Sequence, residues 1–403
     1  MAEYCDGRNP AVTDLWPIDA DNHYYEPLDA FTRHLDPAFT QRGVQMLQKG
    51  RRVVMVLGGR VSQFIPNPTF NPVTKPGCLD LYFRGVMPEG VTRATLMELE
   101  PLAPEYRDRD ARVSRLDEQG LAAAVLYPTL GVGVEEALRE DVPATMASLH
   151  AFNRWLEDDW GYAYRDRLFA VPLISLADPE AAVTEVERVL ALGARIVHVR
   201  PAPVPAPGTG SGGRSLGHPA HDPVWARLAE AGVPVAFHLG DSGYHRMSAM
   251  WGGSARLEAF GKTNVLAKIV VGDRAIQDTM ASLVVDGVFA RHPRLRAVSI
   301  ENGAAWVRPL LRLMKKYANQ SPEGFSGDPV ETFKRHVWVA PYYEDDIGDL
   351  IDLIGADHVL FGSDWPHAEG LAEPLQFEKE IEGLDTATRR RILRDNSAAL
   401  LSL

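Results

Sequence analysis

Cysteine is scarce. Two residues, Cys5 and Cys78, in a chain of 403 cannot build a disulfide framework, and a reducing compartment fits that usage. Basic charge is also short. Lys and Arg number 42 against 54 Asp and Glu, a formal net charge of −12. This argues against nucleic acid and anionic membranes as partners, since both call for a basic face. No apolar run reaches the roughly 18 residues of a membrane helix. The start, "MAEYCDGRNPAVTDLW", has no cationic stretch leading into an apolar one, so no signal peptide is expected. Nicotinamide and flavin fingerprints and internal repeats are equally absent. A cytoplasmic protein is expected.

What is present is a large apolar fraction, 45% of residues, enough for a sizeable core. It is distributed in short continuous runs at 17–21, 121–127, 168–173, 194–199, 234–238, 295–300, 336–340 and 358–361. Continuous rather than alternating runs are the mark of strands buried on both faces. Helical patterns separate most of them. "DPEAAVTEVERVLALG" opens on the Asp178-Pro179 cap and stops at Gly193, and "HDPVWARLAEAG" opens and stops in the same way at Asp222-Pro223 and Gly232. Eight strands alternating with helices predict an α/β fold, a (β/α)8 TIM barrel. Residues 1–403 read as one domain. The long irregular stretch 28–110, with a hairpin strand in "RRVVMVLGG", reads as a lid or substrate-binding insertion at the carboxyl face. Two further long loops follow the fourth and fifth strands.

Barrel enzymes carry their chemistry at the carboxyl ends of the strands. Here those ends hold Asp21 and His23 in "IDADNHYYEP", His238 and then Asp241 in "VAFHLGD", Glu301 in "VSIENG", and Asp364 and His367 in "LFGSDWPH". Asp21 and His23, two apart on an extended segment, share a face, as a metal ion requires of two ligands from one strand. Asp19 shares that parity but lies deeper and is read as structural. Glu26 follows the strand and could curl back over the opening. The bland alternative is an acidic turn that caps a helix. His198 reads as a core histidine and Arg200 beside it as an anchor for a substrate carboxylate. His245 and His367 read either as surface residues or as proton-transfer groups.

With these residues in place the chain resembles the amidohydrolase superfamily, and within it the amidohydrolase-2 branch, which includes non-oxidative decarboxylases such as aminocarboxymuconate semialdehyde decarboxylase. "IDADNH", "FHLGDSGY", "SIENGAAWV" and "LFGSDWPHAEG" carry the resemblance, which spans nearly the whole chain. It implies that the first-strand His-x-His falls on Asp21 and His23, the fifth-strand metal histidine on His238 and the eighth-strand aspartate on Asp364. The sixth-strand catalytic histidine falls on Glu301. Two imidazoles have thus become carboxylates, and the fourth strand, "ARIVHVRP", offers no lysine to bridge two metals.

The implied metal ligands are Asp21, His23, Glu26, His238, Glu301 and Asp364, with Glu301, Asp364 and His367 in catalytic roles and Arg200 on the substrate. Four carboxylates and two imidazoles form a hard, oxygen-rich set. It is similar to the set of non-haem di-iron monooxygenases, a group within the superfamily that serves platensimycin-type diterpenoid biosynthesis. That donor set favours a monooxygenase with two Fe and an external electron donor, hydroxylating an apolar terpenoid-like molecule that bears a carboxylate or thioester. Phe64, Phe70, Tyr82 and Phe83 would then line the substrate pocket or pack the lid. The usual chemistry of the superfamily favours the alternative, a mononuclear Zn or Mn hydrolase or non-oxidative decarboxylase of a small carboxylic acid. A homo-oligomer is expected in either case.

Overall fold

The computed structural model describes residues 16–209, 212–254 and 265–403. Cys5 and parts of the two long loops lie outside the described residues; Cys78 is free.

The apolar runs become the staves of a barrel. Strands form at Ile18–Tyr24, Ala123–Pro128, Leu168–Ala170 with its continuation Leu173–Ile174, Val197–Val199, Val235–His238, Ala297–Ile300 and Val337–Val339. Neighbours pair in parallel from the first to the second and third, and from the fourth through the seventh. The third segment changes partner within itself. Phe169 pairs with Val125 on one side, and Leu173 pairs with His198 on the other. The eighth run, at 358–361, forms no regular ladder. It closes the barrel with single bonds: Leu360 N–H donates to Val339 O at 2.9 Å, and Ala20 N–H donates to Phe361 O at 2.9 Å. The (β/α)8 barrel expected from the sequence is the fold observed.

Side chains of both faces are buried, as the continuous apolar runs require. Ala20, Val125, Tyr127, Phe169, Val298 and Leu360 fill the interior of the barrel. A larger apolar layer lies between the strands and the surrounding helices. The capping signals differ from one another. Asp178 caps the helix Pro179–Ala191 by accepting from Ala181 N–H, as its Asp-Pro pair predicts. Asp222 is instead the first residue of the helix Asp222–Ala231, and its carboxylate is held by Arg291 at 2.9 Å. No described helix is long and apolar enough to cross a membrane.

The stretch 28–110 contains the hairpin Val44–Lys49 with Arg52–Leu57, and the short pair Val73–Thr74 with Leu99–Glu100. It is tied down over the carboxyl face. Arg107 donates to Tyr25 O, Glu26 O and Thr69 O. Gly77 N–H and Leu79 N–H donate to His367 O and Ala368 O. Gly77, at φ 69°, is required there because a Cβ would come within 2.5 Å of Ala372 N.

One buried cation fixes the end of the first strand. Arg112, on the helix Arg109–Gln119, is fully buried. It donates to Asn22 Oδ1 at 2.5 Å, His23 O at 2.7 Å and Glu105 O at 2.7 Å, with its guanidinium 4.7 Å from the Trp365 ring. Burial pushes its pKa down to about 9, still charged at neutral pH. Arg112→Met strands two buried acceptors and a part-buried one, the buried ones worth about 1–3 kcal/mol each. Denaturant unfolding is expected to show a loss of at least about 3 kcal/mol, and Arg112→Lys, which lacks the planar fork, a substantial part of it.

Candidate metal centre

The first strand is the first wall of the site. Between Asp19 and Asn22 it gains one residue on its neighbour, a bulge that re-aims the side chains which follow. Asp19 is fully buried and structural, as its depth implied. It accepts from Asp21 N–H, Asn22 Nδ2, Ser363 N–H and Ser363 Oγ, joining the first strand to the eighth. Gly362 lets the two come close, since a Cβ there would lie 2.7 Å from Asp21 Cβ. Asp364 N–H then donates to Asp21 O at 2.9 Å. Asn302 ties the fifth and sixth strands by donating to Phe237 O and Ile300 O.

These ties bring five of the six expected ligands together. His23 Nε2 lies 3.4 Å from Asp21 Oδ1, 3.5 Å from Glu301 Oε2 and 3.3 Å from Asp364 Oδ1. His238 Nε2 lies 3.5 Å from Asp21 Oδ1, 3.0 Å from Glu301 Oε2 and 3.2 Å from His23 Nε2. Asp21, His23, His238 and Glu301 each offer one donor atom, all within 4.8 Å of one another, and so, as an overlapping set, do His23, Glu301, Asp364 and His367. Both Glu301 and Asp364 adopt left-handed backbone, at φ 54° and 55°. For residues with a Cβ this stores strain of about 1–3 kcal/mol each, as functional positions often do.

The sixth expected ligand is elsewhere. Glu26 is fully buried, and its Oε1 accepts from Leu130 N–H at 2.8 Å and Gly131 N–H at 3.0 Å. It clamps the loop after the second strand. Burial pushes its carboxyl up to about 7. Arg200 is likewise corrected. It pairs with Glu136 at 2.7 Å and donates to Pro203 O, so its charge is spent within the protein and it does not line the cavity beside the cluster. His198 is a buried core residue whose pKa burial pulls down to about 3. His245 pairs with Asp241 at 3.3 Å, away from the cluster.

Burial opposes charge on every member, and the neighbours decide the outcome. Burial lowers the pKa of His238, but Glu301 and Asp21 lift it to about 10. His23 is raised in the same way by Asp21 and Glu301. Burial raises Glu301, but the two imidazoles hold it below the usual carboxylate range. Asp364 goes the other way; burial, then Glu301 and Asp21, push its carboxyl up. Asp21 Oδ1 is buried without a hydrogen-bond partner. Two Nε2 atoms 3.2 Å apart cannot both point a hydrogen at the other. Two imidazoles and two carboxylates, one of them with an orphaned buried oxygen, therefore fit a divalent cation.

His367 extends the cluster toward a proton path. Its ring lies over His23, centroids 4.0 Å apart. Its Nδ1 is 2.7 Å from Asp364 Oδ1 and its Nε2 3.1 Å from Thr129 Oγ1. The Thr129 hydroxyl donates to Tyr24 O at 2.8 Å, so toward His367 it accepts. Burial, then His23, hold His367 neutral. With its one hydrogen on Nε2, its Nδ1 accepts from Asp364. In that tautomer the proton shared with His367 sits on Asp364. Thr129 closes "AAVLYPT" at the end of the second strand, and the strand-end rule that singled out the other residues applies to it equally.

The cluster forms one end of a cavity of about 580 Å³. Phe64 and Phe70 line it, as do Ile65, Val73, Met97 and Leu99. Tyr82 and Phe83, expected beside them, do not; Phe83 is exposed and Lys268 sits 5.6 Å from the Tyr82 ring.

Residues 18–403 match the amidohydrolase family model. The crystal structure of an amidohydrolase from Mycobacterium avium subsp. paratuberculosis K-10 is 55% identical, covers 97% of this chain and 100% of that one, and superposes with a TM-score of 0.92. A dihydroxybenzoic acid decarboxylase from Polaromonas sp. JS666, with bound manganese, is 19% identical over 81% of this chain and 93% of its own, with a TM-score of 0.56. A 5-carboxyvanillate decarboxylase from Sphingomonas paucimobilis is 15% identical over 96% and 99%, with a TM-score of 0.58. At those identities the two decarboxylases share the fold. The favoured expectation of an oxidoreductase is corrected by these comparisons, whose members are amidohydrolases and decarboxylases rather than oxygenases. Glu26, expected as a sixth ligand or a bridge, gives its Oε1 to Leu130 and Gly131 instead, and the external electron donor goes with the oxygenase reading. The chain belongs to the amidohydrolase family, metal-dependent enzymes on a (β/α)8 barrel.

Proposed function

We propose that the protein is a mononuclear metal-dependent enzyme that removes carbon dioxide from a small carboxylic acid without oxidation. Asp21, His23, His238 and Glu301 would hold the metal. Two carboxylates with two imidazoles suit manganese, and zinc also accepts such a set. Manganese is the ion in two of the decarboxylases of similar fold. When bound, the cation supplies a Lewis acid that polarises the substrate's carboxylate end.

The observation that carries the reading is the Asp364–His367–Thr129 chain at the end of an apolar cavity. Loss of carbon dioxide breaks a carbon–carbon bond and leaves its electron pair on the substrate carbon, which must then take up a proton. Asp364 is a carboxylic acid at that position. His367 accepts its hydrogen bond and orients it, and Thr129 fixes the tautomer of His367. The apolar walls keep water from competing for the carbanionic carbon. Residues 28–110, pinned by Arg107, act as the wall that closes the cavity. Hydrolysis is the second reading, favoured by Glu301, which stands where the decarboxylase relatives implied an imidazole.

Asp364→Asn is expected to keep the bound metal and to lose about a hundredfold or more in turnover. Glu26→Gln is expected to keep the metal as well, whereas His238→Ala loses it. Elemental analysis beside single-turnover assays checks all three, and metal loss in Glu26→Gln alone contradicts the ligand set. Metal affinity is expected to fall as pH falls. His238 and His23 must shed protons to ligate, and their raised pKa values keep protons competing at neutral pH. Calorimetric titration at pH 8 and 6 should show affinity dropping by about one to two decades per pH unit.

A further inference from the structure

Beyond the cluster the cavity wall is almost wholly apolar. The polar groups that do face it are mostly engaged. Asn67 accepts from Thr69 and donates to Pro72 O; Tyr25 donates to Pro366 O; Thr129 is bound to Tyr24 O and His367. Among the described residues no Lys or Arg lines the cavity.

One carboxyl interrupts this wall. Glu369, on the loop after the eighth strand, lines the cavity and is partly buried. Among the described residues its carboxyl makes no ion pair and no hydrogen bond beyond its own backbone amide. Its main chain is fixed, since Tyr343 Oη donates to Glu369 O at 3.1 Å. A carboxyl held against apolar walls without a partner costs folding free energy. It lines the cavity, and its acceptor chemistry defines what a ligand there must offer.

We propose that Glu369 is a specificity-determining residue that accepts a hydrogen bond from a hydroxyl or amino group on the substrate. The substrate class is then a small carboxylic acid with an apolar body and a donor group away from its reacting carboxylate. A second anionic group is disfavoured, because among the described residues the wall beyond the cluster provides a carboxyl and no Lys or Arg. The inference rests on the decarboxylase reading for the identity of the reacting end.

The test is calorimetric binding to the manganese-loaded protein. The probes are benzoate, its three hydroxy and three amino isomers, and the benzenedicarboxylates. At least one hydroxy or amino isomer is expected to bind about tenfold or more tightly than benzoate, and every dicarboxylate more weakly. Glu369→Leu should abolish that preference without lowering the Tm, since the carboxyl is partly exposed and holds no side-chain partner; a merely structural role would lower the Tm. Glu369→Gln, which keeps an acceptor oxygen, should retain the preference for the hydroxyl. Equal affinities throughout, a preference that survives in Glu369→Leu, or a dicarboxylate that binds best would each overturn the assignment. Chelation separates the two claims. If the Glu369-dependent preference persists in metal-free protein, the metal reading fails and the subsite stands.

Discussion

Three carboxylates and two imidazoles meet with their polar atoms 3.0–3.5 Å apart in a largely buried space, and like charges so close demand an equal supply of positive charge. Protons supply it poorly, because the two Nε2 atoms face each other. A divalent cation satisfies the imidazoles, Glu301 and the orphaned oxygen of Asp21 together. The surrounding structure enforces the crowding. Asp19 and Gly362 draw the eighth strand onto the first, Arg112 holds Asn22 and His23 from behind, and left-handed turns present Glu301 and Asp364. Such supporting partners commonly matter to metal affinity by a factor of about 10–100.

Much of this was legible in the sequence, and for a physical reason. Strands buried on both faces need continuous apolar runs, and strand ends in a barrel converge on one opening. Those two constraints alone lead to Asp21, His23, His238, Glu301 and Asp364. Where the sequence misled, the deciding contact lay far along the chain. Glu26 is three residues past His23, near enough to suggest a ligand, yet the amides of Leu130 and Gly131 claim it. Arg200 follows a strand end but meets Glu136. Glu369 has no local signal at all; its meaning comes from the apolar insertion that faces it.

The same distinction governs the chemistry. Counting acidic residues near strand ends gives an oxygen-rich set and points to a pair of irons. Counting the carboxylates that reach the cluster gives fewer, and one of those, Asp364, is hydrogen-bonded to His367. The site as proposed, with one cation, one positioned acid and a dry cavity, is suited to proton delivery rather than to oxygen activation. The mostly apolar insertion supplies the dryness, and its hydrogen bonds to the first and eighth strands place it over the acid.

The most direct test of the central claim is anomalous diffraction at the manganese edge from crystals grown with that metal. A single peak per chain within bonding distance of His23 Nε2 and His238 Nε2, and clear of Glu26, is the predicted result. Two peaks bridged by carboxylates, or a peak elsewhere, would contradict it.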